Sequence, residues 1–156
     1  MFMETITQRI GLAAGIAPQV LNAARLSSDG VDMSKFKRVL FVLSMGALNS
    51  GSISAWLQES ASASSGYTAN DTAGAFANSG ANNVSQTAMT TDNNIVTFEV
   101  RADQLTTGKR YVRLQIKETA THNANVCVVA YGDEADSKPG NANNATAVAT
   151  PQNVVS

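Results

Sequence analysis

The chain of 156 residues holds one histidine and one cysteine, so most of the covalent chemistry open to it turns on where these two lie. A serine or thiol nucleophile needs a base beside it. His122 and Cys127 are five positions apart, and an odd separation on a regular strand points two side chains to opposite faces. The spacing therefore predicts an imidazole at a loop edge and a thiol acting as a small apolar side chain, rather than a catalytic pair. Carboxylates cluster at Asp29 with Asp32, and at Asp133 with Glu134 and Asp136. Neither cluster has the ligand order of a calcium loop, and both are expected to be turn residues. Glu59 and Glu99 would be the pair to consider for glycoside chemistry, but as isolated carboxylates they are expected at solvated strand edges. The glycines follow neither a dinucleotide-binding nor a phosphate-loop pattern. The expectation is a protein that is not an enzyme and uses no cofactor and no metal.

Charge narrows the partners in the same direction. Eleven basic and twelve acidic side chains leave a net charge of −1, which gives no long-range attraction for phosphate backbones or anionic lipid. Lys35, Lys37, Arg38, Lys109, Arg110 and Arg113 are the basic concentrations, with too few aromatic neighbours for a nucleic-acid platform. They are expected to pair with acidic groups on adjacent strands or subunits. The apolar stretch Ile10 to Ala17 is too short and too far along the chain to read as an export signal, and no window reaches the roughly 20 apolar residues that cross a bilayer. The expected product is soluble and made in the cytoplasm, with neither nucleic acid nor membrane as a partner.

The elements that must position these residues read as strands. Lys37 to Met45 is apolar on both alternating faces and rich in β-branched and aromatic residues, so a central strand is predicted there. Gly46 to Gly51 then turns into Ser52–Glu59, and the two runs read as a hairpin. In the second run Ile53, Ala55 and Leu57 alternate with Ser52, Ser54, Trp56 and Gln58. Ile95–Arg101 points Val96, Phe98 and Val100 to one side. Lys109–Lys117 does the same with Val112, Leu114 and Ile116, leaving Tyr111, Arg113, Gln115 and Lys117 outward. Asn125–Tyr131 supplies a last buried strand, and Val20–Ser27 a first one.

Residues 1–18 read as an N-terminal arm broken by Gly11, Gly15 and Pro18, residues 19–132 as a β-domain, and residues 133–156 as a polar tail. Inside the domain, residues 60–93 are almost all Ala, Ser, Asn, Thr and Gly. Short edge strands are expected around 74–78 and 84–89, because a structureless loop of that length is uncommon in a compact domain. Six to eight short strands without a helix-length apolar period predict an all-β fold, an antiparallel β-sandwich or jelly roll.

Ser28–Met33, Phe36–Gly46 and Gly51–Ser60, followed by Arg110–Leu114 and Val128–Gly132, together resemble a pattern found in small structural proteins of tailed bacteriophages. The resemblance spans roughly residues 20–132 and identifies strands and turns rather than a site. It implies a capsid-associated cement or decoration protein, located on the virion surface after synthesis in the host cytoplasm. The major capsid protein would be its partner, and self-association as a dimer or trimer would be expected. A structural protein of the tail or head–tail junction is the alternative within the same particle. From a different class comes a carbohydrate-binding module, with Trp56, Tyr67, Tyr111 and Tyr131 as stacking rings. Trp56, Tyr67, Phe76, Arg110, Tyr111 and Arg113 are the candidate interface residues, since Trp, Tyr and Arg are the usual anchors of protein contacts. The arm, the tail and the 60–93 stretch are further candidate contact segments.

Overall fold

The computed structural model describes residues 6–21, 25–48, 51–67, 87–118 and 124–135. Within them the chain is built of antiparallel strands in two sheets. After one helical turn, α1 (Ile6–Arg9), the strands are β1 (Gly11–Leu21), β2 (Arg25–Ser27), β3 (Val31–Asp32), β4 (Phe36–Met45) and β5 (Ile53–Ser60). They continue with β6 (Thr87–Met89), β7 (Ile95–Arg101), β8 (Tyr111–Glu118) and β9 (Ala124–Ala135). A 3-10 turn at Ala102–Gln104 follows β7. Sheet A has the order β1-β9-β4-β7; sheet B has the order β2-β8-β5-β6, with β3 also pairing β8.

Alternation decides what each strand buries. Val39, Phe41, Leu43 and Met45 of β4, Phe98 and Val100 of β7, and Val126, Val128 and Ala130 of β9 point inward from sheet A. Ile53, Ala55 and Leu57 of β5, with Val112, Leu114 and Ile116 of β8, point inward from sheet B. All belong to one buried apolar cluster. The inward sets of β5, β7 and β8 are those that alternation predicts.

The hairpin expected between residues 37–45 and 52–59 does not form. β4 pairs with β7 and β9 in sheet A, whereas β5 pairs with β6 and β8 in sheet B. Two apolar-faced strands joined by a short glycine-containing link fit equally well side by side or opposite each other across a core. Here the link crosses from one sheet to the other, and the Gly46 amide still donates to the Asn125 carbonyl of β9 at 2.9 Å before the chain leaves sheet A.

The expected boundaries of the first segments shift. Residues 11–18, read as part of an arm, lie in β1 and pair with β9 from Gly11 opposite Gly132 to Leu21 opposite Ala124. Gly-Leu-Ala-Ala-Gly-Ile-Ala-Pro has little intrinsic β-propensity, so the pairing with β9 organises it. Gly15 lies close to β9: a Cβ at that position would sit 3.0 Å from the Val128 carbonyl, a tight contact. The first strand expected at Val20–Ser27 is divided between β1 and β2, which belong to different sheets. At the other end β9 runs to Ala135, past the expected start of the tail. The short strand expected around 84–89 corresponds to β6, while residues 74–78 and 136–156 lie outside the described residues.

Both edges of sheet A are blunted against further pairing. β1 carries two register shifts, between Leu12 and Ala14 and between Ile16 and Gln19, and its Pro18 lacks an amide hydrogen. β7 pairs with β4 without a break, and the Met45 amide donates to Asn94, so the amides of Ile95, Thr97, Glu99 and Arg101 point to the free edge. Side chains take the outermost two: Asn94 Oδ1 accepts from the Ile95 amide at 2.8 Å, and Gln104 Oε1 from the Arg101 amide at 2.9 Å.

Candidate interaction surfaces

Four of the six candidate interface residues come together on the outward face of sheet B. Tyr111 and Arg113 project from β8, Arg110 precedes them, and Tyr67 folds over from the segment after β5. The Arg113 guanidinium lies 4.0 Å from the centre of the Tyr67 ring, and the Arg110 guanidinium 5.4 Å from that of Tyr111. The Tyr67 hydroxyl donates to the Ala63 carbonyl at 3.2 Å, and the ring packs where any side chain at Gly30 would stand. Burial pushes the Tyr67 phenol up to about 12. Burial also lowers the Arg113 guanidinium from its ordinary value.

Arg110 is fixed by a two-pronged ion pair with Asp32, its Nε and Nη2 donating at 2.7 and 2.6 Å. Partial burial would raise the Asp32 carboxyl, but the hydrogen bonds from Arg110 and from the amide and hydroxyl of Ser34 outweigh it and hold the group at about 2. The pair ties the two-residue strand β3 to the start of β8.

Trp56 shares the outward face of sheet B but is 0% exposed, which removes it as a free interface anchor. Every residue of β5 is buried, on the outward as well as the inward side. Around Trp56 runs a chain of polar side chains. Arg113 Nε donates to Gln58 Oε1 at 2.8 Å, Gln58 Nε2 to Gln115 Oε1 at 3.2 Å, and Gln115 Nε2 to Ser27 Oγ at 2.9 Å, joining β8, β5 and β2. Trp56 Nε1 stays outside this network; among the described residues it and Thr106 Oγ1 are buried polar atoms without a partner. Phe76, the sixth candidate, lies outside the described residues, as does His122.

Three carboxylates of the acidic clusters lie against arginines. Asp32 is held by Arg110, Asp133 accepts from Arg9 at 2.9 Å, and Glu134 lies 3.8 Å from Arg38. Asp136 lies outside the described residues. Glu59 is buried on the inner side of sheet B, opposite Val112, and accepts from the Thr106 amide at 3.0 Å, whereas Glu99 is exposed on sheet A. These two carboxylates cannot act on one substrate. The four rings considered for sugar stacking are likewise divided: Trp56 is buried, Tyr131 is on sheet A, and Tyr67 and Tyr111 each have a guanidinium at the ring.

The outward face of sheet A is a surface that sequence reasoning missed. Paired residues make rows across its strands. Asp133, Arg38 and Arg101 form a charged row, followed by Leu12, Tyr131, Leu40 and Glu99. Beyond these lie Gly15, Val129, Val42 and Thr97, then Cys127, Ser44 and Ile95, two rows without a formal charge. Leu40 is 36%, Tyr131 37% and Ile95 65% exposed. A groove of about 340 Å³ follows the β1 edge of this face, lined by Leu12, Gly15, Ala17, Pro18, Cys127 and Val129, by the buried Ala14, Ile16 and Val128, and by one carboxylate, Asp29. The signal was present in the sequence: Leu40, Val42, Val129 and Tyr131 make both faces of β4 and β9 apolar, which a strand buried on one side does not require. Comparison with known protein families, curated proteins and solved structures gives no match, so the surfaces themselves are the basis for assigning a role.

Proposed function

We propose that this chain is a virion structural protein of a tailed phage, binding the outer surface of the capsid as a cement or decoration protein and stabilising contacts between capsomers. The observation that carries this reading is the cluster of Tyr67, Arg113, Tyr111 and Arg110 on the rim of sheet B. Arginine and tyrosine are enriched at protein interfaces, and these arginines are held in place before a partner arrives, which limits the entropy lost on binding. The resemblance to capsid-associated proteins supplies the identity of the partner.

The finer architecture belongs to the same proposal: a jelly-roll sandwich. Its support is the strand order. With β3 taken as an extension of β2, the eight described strands divide four and four, β1, β9, β4, β7 against β2, β8, β5, β6, around the shared cluster, and the chain changes sheet at every step except β5 to β6. That order supports an eight-stranded roll made of two Greek keys, a fold used in viral capsids as well as in lectins. Fold alone does not assign a role.

The test uses purified full-length chain and phage heads that lack it. Co-sedimentation that saturates at a fixed number of copies per head, and that weakens about ten-fold or more in Tyr111→Ser and Tyr67→Ala variants of unchanged fold, is the expected result. No binding to the heads, together with no copies in purified virions, would overturn the reading.

A further inference from the structure

We infer that the outward face of sheet A is a homotypic interface, closed by a second copy of this chain about a two-fold axis that runs along the strands between β9 and β4. The argument starts from what the face lacks. Two adjacent rows of its four carry no formal charge, so a charged partner surface would be desolvated against them without compensation. A second copy brings an equally uncharged surface.

The face is also complementary to itself under one operation. Sheet A is ordered β1-β9-β4-β7, so rotation about an axis between the two central strands lays β4 over β9 of the second copy and β7 over its β1, and keeps each row opposite itself. Leu40 then meets Tyr131, Val42 meets Val129, and Thr97 meets Gly15 of the second copy. The two ends of the uncharged rows differ in relief. Ile95 is exposed at the β7 edge, while the β1 edge carries the groove beside Ala17, Pro18 and Cys127, which Asp29 also lines. The rotation seats each Ile95 in the groove of the other copy.

Charge agrees with the same axis. In the charged row Arg38 of β4 pairs in register with Asp133 of β9. The rotation therefore places each Arg38 over Asp133 of the second copy, a carboxylate that Arg9 of its own chain also holds, with Glu134 adjacent. Arg38 is about half exposed and only loosely engaged within its own chain, at 3.8 Å from Glu134, so it is available for this contact. Packing of two twisted sheets at about 30° tilts the axis slightly from the strands and keeps the central pairs in contact. The four strands and four rows cover on the order of 500 Å² per copy. That is less than the ~800 Å² of a standard stable interface, so the pair is expected to be reversible in solution.

This inference does not rest on the capsid reading, which is tested on phage heads through the rim of sheet B. Sedimentation velocity over a concentration series, with the full chain, should show a monomer–dimer equilibrium. Cys127 is the chain's one thiol, and the two copies of it fall roughly 10 Å apart across the axis, so a short bismaleimide should trap the dimer in the wild type. Val42→Asp, which buries two unpaired carboxylates at the centre, should weaken association at least about ten-fold. Arg38→Asp alone should weaken it as well, and Arg38→Asp with Asp133→Arg should restore it, a rescue that loss of fold cannot mimic. A monomer at every concentration, a trimer, a dimer that Cys127 does not crosslink, or a charge swap that fails to restore the dimer would overturn the inference.

Discussion

The outward faces of the two sheets solve opposite problems with the same strand geometry. On sheet B the outward side chains of β5 are closed off, and polar atoms bond to one another from Arg113 through Gln58 and Gln115 to Ser27. On sheet A, beyond the charged row of Arg38 and Asp133, the outward side chains of β4 and β9 are largely apolar and remain accessible at Leu40, Tyr131 and, on β7, Ile95. A polar network in a buried place must be satisfied internally, and it then fixes the register of its strands. An apolar face left open costs little in the isolated chain and gains when another surface covers it. The first face is therefore expected to be sensitive in stability and the second in association.

The largest effect is expected at Trp56. Trp56→Ala should destabilise the chain by about 3–5 kcal/mol in denaturant titration, whereas Ile95→Ala on sheet A should stay within about 0.5 kcal/mol. Equal costs at the two positions would break the comparison.

Next comes the polar chain on sheet B. Gln58→Met keeps the volume but removes the acceptor of Arg113 and the donor to Gln115, with an expected loss of about 2 kcal/mol. Leu40→Gln, an equally polar exchange on sheet A, should leave the midpoint of unfolding nearly unchanged.

Smaller and dependent on pH is the Asp32–Arg110 pair. The folded-state value of Asp32, about 2, lies below its ordinary 3.8, so the pair's contribution is complete above about pH 4 and is lost as pH falls through about 2. Asp32→Asn should cost about 1 kcal/mol at neutral pH and flatten the acid limb of the stability curve. At the alkaline end the sign reverses. Tyr67 is raised from 10.0 to about 12, so stability is complete below pH 10 and declines as pH rises toward 12. Absorbance titration near 295 nm should show one phenol ionising late, and Tyr67→Phe should remove that step.

Gly132 gives the last test. A Cβ there would run into the Phe36 ring of the core, so Gly132→Ala should cost about 1–3 kcal/mol, while Gly108→Ala meets no atom and is penalised only by its φ of +84°. Gly108→Asn, which tolerates that φ, should recover most of the loss.

Much of the fold was legible in particular residues. Val96, Phe98, Val100, Val112, Leu114 and Ile116 announce their inward side through strict alternation, and the structure places them in the core or packed against it. β1 was not legible, because its glycines, alanines and proline become a strand only beside β9. Of the candidate interface residues, the structure brings Tyr67, Arg110, Tyr111 and Arg113 near one another, a proximity that residue type alone does not report. Trp56 fell among apparently open, serine-flanked positions because alternation reports a face and not what lies over it.

The sequence by itself determined the strand periodicity, the inward sets of β5, β7 and β8, and the identity of the residues at the rim. These depend on local alternation, which a strand carries wherever it is placed. Only the tertiary structure decided that β4 and β5 lie in different sheets, that β1 pairs with β9, and that one outward face is a closed polar network while the other stays open and apolar. Those choices rest on contacts between residues far apart in the chain, such as Leu12 with Tyr131 and Arg113 with Gln58, and local periodicity does not encode the partner of a strand.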